Sequence, residues 1–181
     1  MPWPGRAAVL ALAHRGEGAP YAVIRSMASI PVAKPLAAGY RVRKQLMPVT
    51  QANPGRWSRG DVVKVRIEFE AQADGTWVVL DDPLPAGAAI LGGGLRRGLA
   101  PLPEPVGPGH ATAWPTFVER RGEAYRAYFE DLPRGKWQLE YSMRLNAAGH
   151  FRMPATRLEA MYEPDRFGLL PNAMFEVGVK P

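Results

Sequence analysis

The chain has 181 residues, a length that suits one domain, or one domain with part of a neighbour, and that can bury a core without covalent staples. It contains no cysteine, which excludes disulfides, zinc–cysteine sites, thiol catalysis and any thioester formed by this chain. The formal net charge of +6 permits a polyanionic partner. However, the basic residues are scattered, which indicates compositional bias more than a nucleic-acid footprint.

The first residues do not predict a membrane segment. The longest apolar run near the start, Ala7 to Ala13, is far shorter than the roughly 18 residues that a span needs. It mimics a signal peptide, but it sits at the lower limit of about 7 apolar residues, and Pro2 and Pro4 crowd the start. We therefore expect a strand at this position and no direct membrane insertion.

An N-terminal hairpin and a domain boundary are predicted next. Two apolar runs, Ala7–His14 and Tyr21–Met27, are separated by a loop rich in glycine, so they pair as a β-hairpin. Two prolines then break the chain before Ala37. The predicted units are residues 1–37 and 38–181. A two-stranded hairpin is marginal alone, so the first unit must pack on something.

Alternation of apolar and polar residues predicts most of the remaining strands. It is clearest in Val63–Ala71 and Trp137–Leu145, where apolar side chains share one face and polar side chains the other. Further strands are predicted at Tyr40–Leu46, Thr76–Leu80, Ala124–Leu132, Arg157–Tyr162 and Ala173–Val179, the last with Phe175, Val177 and Val179 inward.

Glycine and proline punctuate these strands. Asp74-Gly75 predicts a hairpin turn between the strand that ends at Ala71 and the next. Residues 92–116 predict a long loop, and Pro164, Asp165 and Gly168 predict a sharp turn. No segment has a sustained helical period. The chain is therefore predicted to be all-β, an antiparallel β-sandwich with an N-terminal β-hairpin.

Three groups of residues could in principle bind an ion or a phosphate. Asp81-Asp82 could bind calcium, but neighbours along a strand face opposite ways, and a strand end before Pro83 is the simpler interpretation. The glycine run 92–94 before Arg96-Arg97 lacks the ending and setting of a phosphate loop. The three histidines are not in metal-ligand spacing; they are His14, His110 and His150.

Arginine and tyrosine interleave between residues 120 and 128. The pattern could stack on single-stranded nucleic acid. The solvated face of a sheet produces the same pattern, and the alternation favours it. Nothing in the sequence forms a serine, cysteine or paired-carboxylate mechanism, so we predict no catalytic, metal or cofactor site.

Several motifs together resemble a known family. In order along the chain, they are similar to the C-terminal macroglobulin domain of bacterial α2-macroglobulins, from Gly39 nearly to the end, and the N-terminal hairpin is similar to the closing strands of the CUB-type domain that precedes it. The motifs are Trp57-Ser58-Arg59-Gly60-Asp61, Trp77 to Gly87, Tyr125-Arg126-Ala127-Tyr128-Phe129, Tyr141 to Asn146 and Arg157-Leu158-Glu159-Ala160-Met161-Tyr162 with Pro164.

The resemblance implies a macroglobulin (immunoglobulin-like) sandwich in a large periplasmic protein that entraps proteases. In that family a separate domain carries a Cys-x-x-Gln thioester, which bonds to the attacking protease. The last domain packs against the thioester domain, and residues at its Met-Tyr pair cover the thioester. Here these positions are Met161 and Tyr162. The implied partner is thus the thioester domain, and target proteases are met only indirectly.

The residues alone leave other functions open. The strand pattern also suits an independent adhesive or carbohydrate-binding β-sandwich, which would be retained on polysaccharide. The charge leaves a nucleic-acid-binding domain as a third function, which strongly salt-dependent binding would reveal. The sequence does not indicate which proteases would be trapped.

Overall fold

The period-2 sequence pattern becomes a period-2 burial pattern in the central strands. The computed structural model describes residues 13–19, 21, 23–25, 32–92 and 111–179. In Val62–Ala71, the five positions predicted to face inward are buried and the charged positions between them are partly exposed. The second strongly alternating segment behaves in the same way from Leu139 to Leu145.

The described residues form thirteen strands and no helix, so none of them offers a helix that could span a membrane. The strands are β1 (Leu36–Ala38), β2 (Tyr40–Thr50), β3 (Val62–Ala71), β4 (Gly75–Pro83), β5 (Ala88–Leu91), β6 (Ala111–Thr112), β7 (Phe117–Arg120), β8 (Ala124–Leu132), β9 (Gly135–Leu145), β10 (Gly149–Phe151), β11 (Thr156–Ala160), β12 (Glu163–Leu170) and β13 (Phe175–Val177).

Two sheets form the sandwich. One has six strands in the order β1-β12-β11-β4-β8-β7, and the other has the order β2-β3-β9-β5, with β6 added in parallel to β9. All other strand pairs are antiparallel, and β10 and β13 form a small separate ladder. This confirms the predicted all-β antiparallel sandwich. Strand β6 lies inside the stretch predicted as a loop, of which residues 93–110 are outside the described part.

The core lies between the two sheets. Fully buried side chains come from both, including Ile67 on β3, Leu80 on β4 and Leu158 on β11. The rings of Phe69 on β3 and Phe129 on β8 meet across the core with centroids 5.8 Å apart. Each sheet therefore buries one face, as the alternation requires.

The predicted hairpin at Asp74-Gly75 is wrong. Strand β3 pairs with β2 and β9, whereas β4 pairs with β8 and β11. The turn therefore carries the chain from one sheet to the other. Alternation reports which face of a strand is buried, but not which strand lies beside it.

The chain divides into two units, Met1–Pro31 and Val32–Pro181. Most of the predicted N-terminal hairpin lies outside the described residues. The described residues of the first unit are exposed, including Tyr21, Val23 and Ile24. The second unit contains all thirteen strands, and β1 crosses the predicted boundary between residues 37 and 38. The assignment of residues 1–37 to the end of a CUB-type domain stays a prediction.

Candidate interaction site

Strand β11 leads directly to the two residues singled out from the sequence. It lies in the interior of the six-stranded sheet, between β4 and β12. Its alternate residues Thr156, Leu158 and Ala160 are buried. The strand is therefore fixed on both edges and on its inner face.

Met161 and Tyr162 form the turn that follows. Ala160 pairs with Glu163, so the two residues make a two-residue connection between β11 and β12. Since neighbours along a strand face opposite ways, the predicted strand Arg157–Tyr162 implies that at least one of them faces outward. Both do: Met161 is 48% exposed and Tyr162 is 76% exposed. They escape the alternation because β11 ends at Ala160, two residues before the predicted end of this strand at Tyr162.

Trp77 lies beside this turn. The Met161 amide donates to the Trp77 carbonyl oxygen at 2.8 Å, which extends the β11–β4 pairing by one position. Trp77 is 45% exposed. Its φ is 51°, and among the described residues no other non-glycine residue has a positive φ. Three exposed apolar side chains are thus carried at neighbouring positions on one end of the sheet.

The sharp turn predicted from Pro164, Asp165 and Gly168 is displaced. Glu159 pairs with Phe167 but Ala160 pairs with Glu163, so β12 carries three extra residues opposite that step of β11. Pro164 and Asp165 lie in this bulge. Gly168 lies within β12, where a Cβ would come within 2.7 Å of the Tyr40 carbonyl oxygen. That glycine permits close packing and does not make a turn.

A buried polar cluster lies at the other end of β11. The Asp82 carboxylate is fully buried and accepts hydrogen bonds from Lys44 Nζ at 2.7 Å, from the Tyr141 hydroxyl at 2.6 Å and from Thr156 Oγ1 at 2.5 Å. Asn172 accepts from Lys44 Nζ at 3.1 Å. Since Lys44 and Tyr141 belong to one sheet and Asp82 and Thr156 to the other, the cluster joins the two sheets.

The predicted carboxylate pair is therefore split. Asp81 faces away from the core, where its Oδ2 accepts from Arg126 Nε at 2.9 Å, while Asp82 faces the core. The described residues contain no group of three or more side chains that could hold a metal ion. The opposite orientation of the two aspartates confirms the expectation that neighbours along the strand do not share a site.

Two tyrosines of this region titrate unusually. Their rings, at Tyr125 and Tyr141, are stacked with centroids 4.3 Å apart. Burial raises the pKa of Tyr125 to about 12, against the opposing charge of Arg120. Burial, and then the charge and hydrogen bond of Asp82, raise the pKa of Tyr141 well above its usual value. Both phenols therefore stay neutral above the pH at which an unperturbed tyrosine ionises.

The interleaved arginine and tyrosine pattern follows the face of a sheet. Tyr125 points into the core, and the Tyr128 hydroxyl donates to Glu119. Arg126 forms ion pairs with Asp81 and Glu119, and Arg121 also pairs with Glu119. Arg121 and Arg126 are thus matched by carboxylates, while Arg120 donates to the Gly92 carbonyl oxygen at 3.1 Å, and these pairings support the sheet-face interpretation.

The remaining candidates are dispersed or lie outside the described residues. His14 belongs to the first unit, and His150 is exposed on β10. His110, most of the glycine run 92–94 and Arg96-Arg97 are outside the described part of the chain.

A groove of about 1050 Å³, lined mainly by apolar residues, lies near the Asp82 end of β11. Arg126, Arg152 and Arg157 line it together with Asp81 and other residues. Phe151 and the imidazole of His150 are the aromatic side chains among its described lining residues, which include no tryptophan and no tyrosine. The described lining therefore lacks the tryptophan and tyrosine rings on which a sugar would stack.

Comparisons with known proteins add the family context. Residues 39–165 match the family described as the bacterial alpha-2-macroglobulin MG10 domain, a range that contains Met161 and Tyr162. Separately, 57 residues, 32% of the chain, are 33% identical to Circularly permutated Ras protein 2 of Dictyostelium discoideum and span 1% of that protein.

Solved structures support the same fold. Native alpha-2-macroglobulin of Escherichia coli matches with a TM-score of 0.62 and 19% identity over 82% of this chain and 10% of that one. Its segment from domain MG7 to the C-terminus matches with a TM-score of 0.63 and 18% identity over 82% of this chain and 25% of that one. Salmonella alpha-2-macroglobulin reacted with methylamine matches with a TM-score of 0.62 and 16% identity over 80% of this chain and 10% of that one. The chain thus spans a quarter or less of these structures.

Proposed function

Because the chain belongs to the family of bacterial alpha-2-macroglobulin MG10 domains, we propose that it is a non-catalytic domain of a protease inhibitor. In this proposal it packs against the thioester domain of the same inhibitor and shields the thioester from water. The thioester cysteine must come from that other domain, since this chain has none. In this proposal the domain does not bind target proteases directly. The family implies a periplasmic location.

The exposure of Met161 and Tyr162 is the observation that carries the proposal. Single exposed apolar side chains are common on protein surfaces. Here, however, two adjacent apolar side chains form the tip of a hairpin, next to the exposed Trp77. Burying them against a partner would release the free energy of hydrating their apolar surface. The tip is therefore a natural contact point for another domain.

The chemistry of the two side chains suits a cover over a reactive bond. A thioester is lost when water or a small amine attacks its carbonyl carbon. The flexible, polarizable thioether of Met161 can fill an irregular surface around the bond. The ring of Tyr162 can exclude water while its hydroxyl stays hydrated or finds an acceptor.

The thioester proposal is tested in an intact inhibitor that carries this domain. Met161→Ala, Tyr162→Ala and the double variant are treated with methylamine without protease, and the release of the thioester thiol is followed. We expect each single change to speed release, and the double change to speed it at least about tenfold, which corresponds to a barrier lower by about 1.4 kcal/mol. Met174→Ala is the matched control, since Met174 is 53% exposed but lies before β13.

Two results would contradict the shielding proposal. One is a thiol-release rate that stays at the wild-type value in the double variant. The other is an equal acceleration by Met174→Ala, which would show that any loss of exposed methionine loosens the inhibitor. Binding of the isolated chain to soluble polysaccharide, undiminished in the double variant, would instead favour the adhesive or carbohydrate-binding function.

We also propose that residues 1–37 are the end of a preceding CUB-type domain. Without its partner strands this segment should open easily, so its amides should exchange with solvent well before those of β3 and β9. Hydrogen exchange resolved by residue tests this and locates the boundary, because β1 (Leu36–Ala38) crosses it. Uniform protection along the chain would refute the assignment.

A further inference from the structure

The turn formed by Met161 and Tyr162 is of an unfavourable kind for a hairpin. Both residues have negative φ, since Trp77 is the non-glycine residue with positive φ in the described parts of the chain. Two-residue hairpin turns normally need positive φ, because only the mirror-image turns match the twist of the strands. A turn with negative φ splays the strands apart, and here the three-residue bulge in β12 follows directly.

Arg166, the last residue of the bulge, ties it to the rest of the domain. One terminal nitrogen, Nη2, donates to the carbonyl oxygens of Ala73 at 3.2 Å and Asp74 at 3.0 Å, in the connection between β3 and β4. The other, Nη1, donates to both carboxylate oxygens of Glu163 at 3.3 and 3.2 Å. Since Glu163 is the residue immediately after the turn, one guanidinium joins the two ends of the bulge to the β3–β4 connection.

The Tyr40 ring packs against the face of this guanidinium. The Arg166 Cζ atom lies 5.4 Å from the centroid of the Tyr40 ring, within the range of a cation–π contact. Tyr40 is fully buried, and its hydroxyl has no hydrogen-bond partner among the described residues. The hydroxyl lies against Gly75, where a Cβ would come within 2.5 Å of it. A glycine at this position therefore lets the ring sit beneath Arg166.

We propose that Arg166 is a positioning residue that fixes the direction in which Met161 and Tyr162 project. We call the bonds from Arg166 to Ala73, Asp74 and Glu163 the Arg166 clamp. The clamp belongs to this chain alone, whereas its importance for shielding rests on the proposed function. Arg166 supplies the fixed points that the bulged backbone lacks, because residues 164–166 have no partners on β11. The side chain is 22% exposed, so its contacts are partly protected from competition by water.

Lysine could not replace arginine in this role. The contacts require two nitrogens held in one plane, one aimed at two carbonyl oxygens and the other at a carboxylate. A lysine ammonium is a single point with three donors and no flat face for the Tyr40 ring. Arg166→Lys therefore keeps the charge but loses the bridge, which separates positioning from electrostatics.

The Met161 amide reports on the clamp. It donates to the Trp77 carbonyl at 2.8 Å, at the point where the turn begins. Hydrogen exchange is measured by NMR on the 181-residue chain for wild type, Arg166→Gln and Arg166→Lys. We expect protection of the Met161 amide to fall at least about tenfold in both variants, as loss of hydrogen bonds from a charged donor implies. Protection of the β3 amides should change less.

Arg66→Gln is the matched control. Arg66 is also a partly exposed arginine paired with a carboxylate, Glu140, but it lies on the five-stranded sheet. It should leave the Met161 amide at wild-type protection. Full protection of that amide in Arg166→Gln, full rescue by Arg166→Lys, or an equal fall at Met161 and throughout β3 would each overturn the proposal.

The two proposals can fail separately. If Met161→Ala leaves the rate of thiol release from the intact inhibitor unchanged, while Arg166→Gln lowers the protection of the Met161 amide, the shielding function is wrong and the clamp is supported. If the amide does not respond while thiol release accelerates, the clamp is wrong and the shielding stands.

Discussion

Removal of the buried carboxylate of Asp82 should destabilise the domain more than any surface change. The side chain is fully buried and accepts from Lys44, Tyr141 and Thr156. The Lys44 side chain is only 8% exposed, so Asp82→Leu leaves a buried ammonium without its anion. Breaking one partner of a buried pair costs about 3–5 kcal/mol, which is a large share of the roughly 5–15 kcal/mol that holds a typical domain folded.

The reverse change should cost less. In Lys44→Met the carboxylate loses its cation but keeps the hydroxyl donors of Tyr141 and Thr156. The loss should lie near the lower end of the range of about 3–5 kcal/mol for a broken buried pair, because two hydroxyl donors still compensate the buried carboxylate. The double variant removes both charges, so it should be more stable than Asp82→Leu alone. The coupling between the two changes should exceed about 1 kcal/mol.

Urea unfolding of the four proteins, with slopes compared to confirm the same transition, measures these differences. Arg41 and Glu70 give the matched control, since they form an exposed ion pair with side chains 66% and 40% exposed. A cycle of Arg41→Met and Glu70→Leu should show a coupling below about 1 kcal/mol. The reasoning is refuted if Asp82→Leu costs less than Lys44→Met, or if the two changes are simply additive.

Three further predictions concern single positions. Met161→Ala should change the free energy of unfolding by less than about 0.5 kcal/mol, whereas Met143→Ala, at 3% exposure, should cost about 2–5 kcal/mol; equal urea midpoints would contradict this. Gly168→Ala should lower the thermal midpoint, because its Cβ would lie 2.7 Å from the Tyr40 carbonyl oxygen, and an unchanged midpoint would contradict the close packing. Burial raises the pKa of Tyr125 from 10.0 to about 12, so the stability that the neutral phenol contributes is complete below pH 10 and is lost as pH rises toward 12. Urea midpoints measured across this range should therefore fall less steeply in Tyr125→Phe than in the wild type. Identical pH profiles for the two proteins would refute this prediction.

The strands and their buried faces could be predicted because they depend on local pattern. In β3 each inward position carries an apolar side chain and each outward position a charge, so the period alone determines which face is buried. The same pattern failed at the chain's last strand. Phe175 and Val177 are buried as predicted, but Val179 is 73% exposed because β13 ends at Val177. A period cannot show where pairing stops.

Long-range contacts could not be predicted. The Asp82 cluster joins residues that lie up to 128 positions apart, and each alone has an ordinary local explanation. The sequence predicts a strand end before Pro83, and β4 does end here, at Pro83 itself, one residue after Asp82. The partner cation, Lys44, is one of several basic residues on β2. Only the packing of the two sheets brings them together.

Glycines misled the sequence interpretation for a related reason. From the sequence, Gly75 predicts a hairpin turn and Gly168 predicts part of a sharp turn. In the fold, the absence of a side chain at each position admits Tyr40: its hydroxyl at Gly75 and its carbonyl at Gly168. Glycine permits both unusual φ and close approach, and the sequence does not distinguish these uses.

The identity of the turn residues is not explained by the needs of the hairpin. Asparagine followed by glycine would adopt the mirror-image turn that matches the strands, with no bulge required. Met161 and Tyr162 instead accompany negative φ, a three-residue bulge and a guanidinium that bridges back to the β3–β4 connection. The bulge and the guanidinium bridge fix three further backbone positions and a long side chain, which costs conformational entropy that a simpler turn would not require. A cost of this kind at an exposed apolar tip is expected where the two side chains serve a contact outside the domain, so under the proposed function their removal should matter most when this domain is part of the proposed inhibitor.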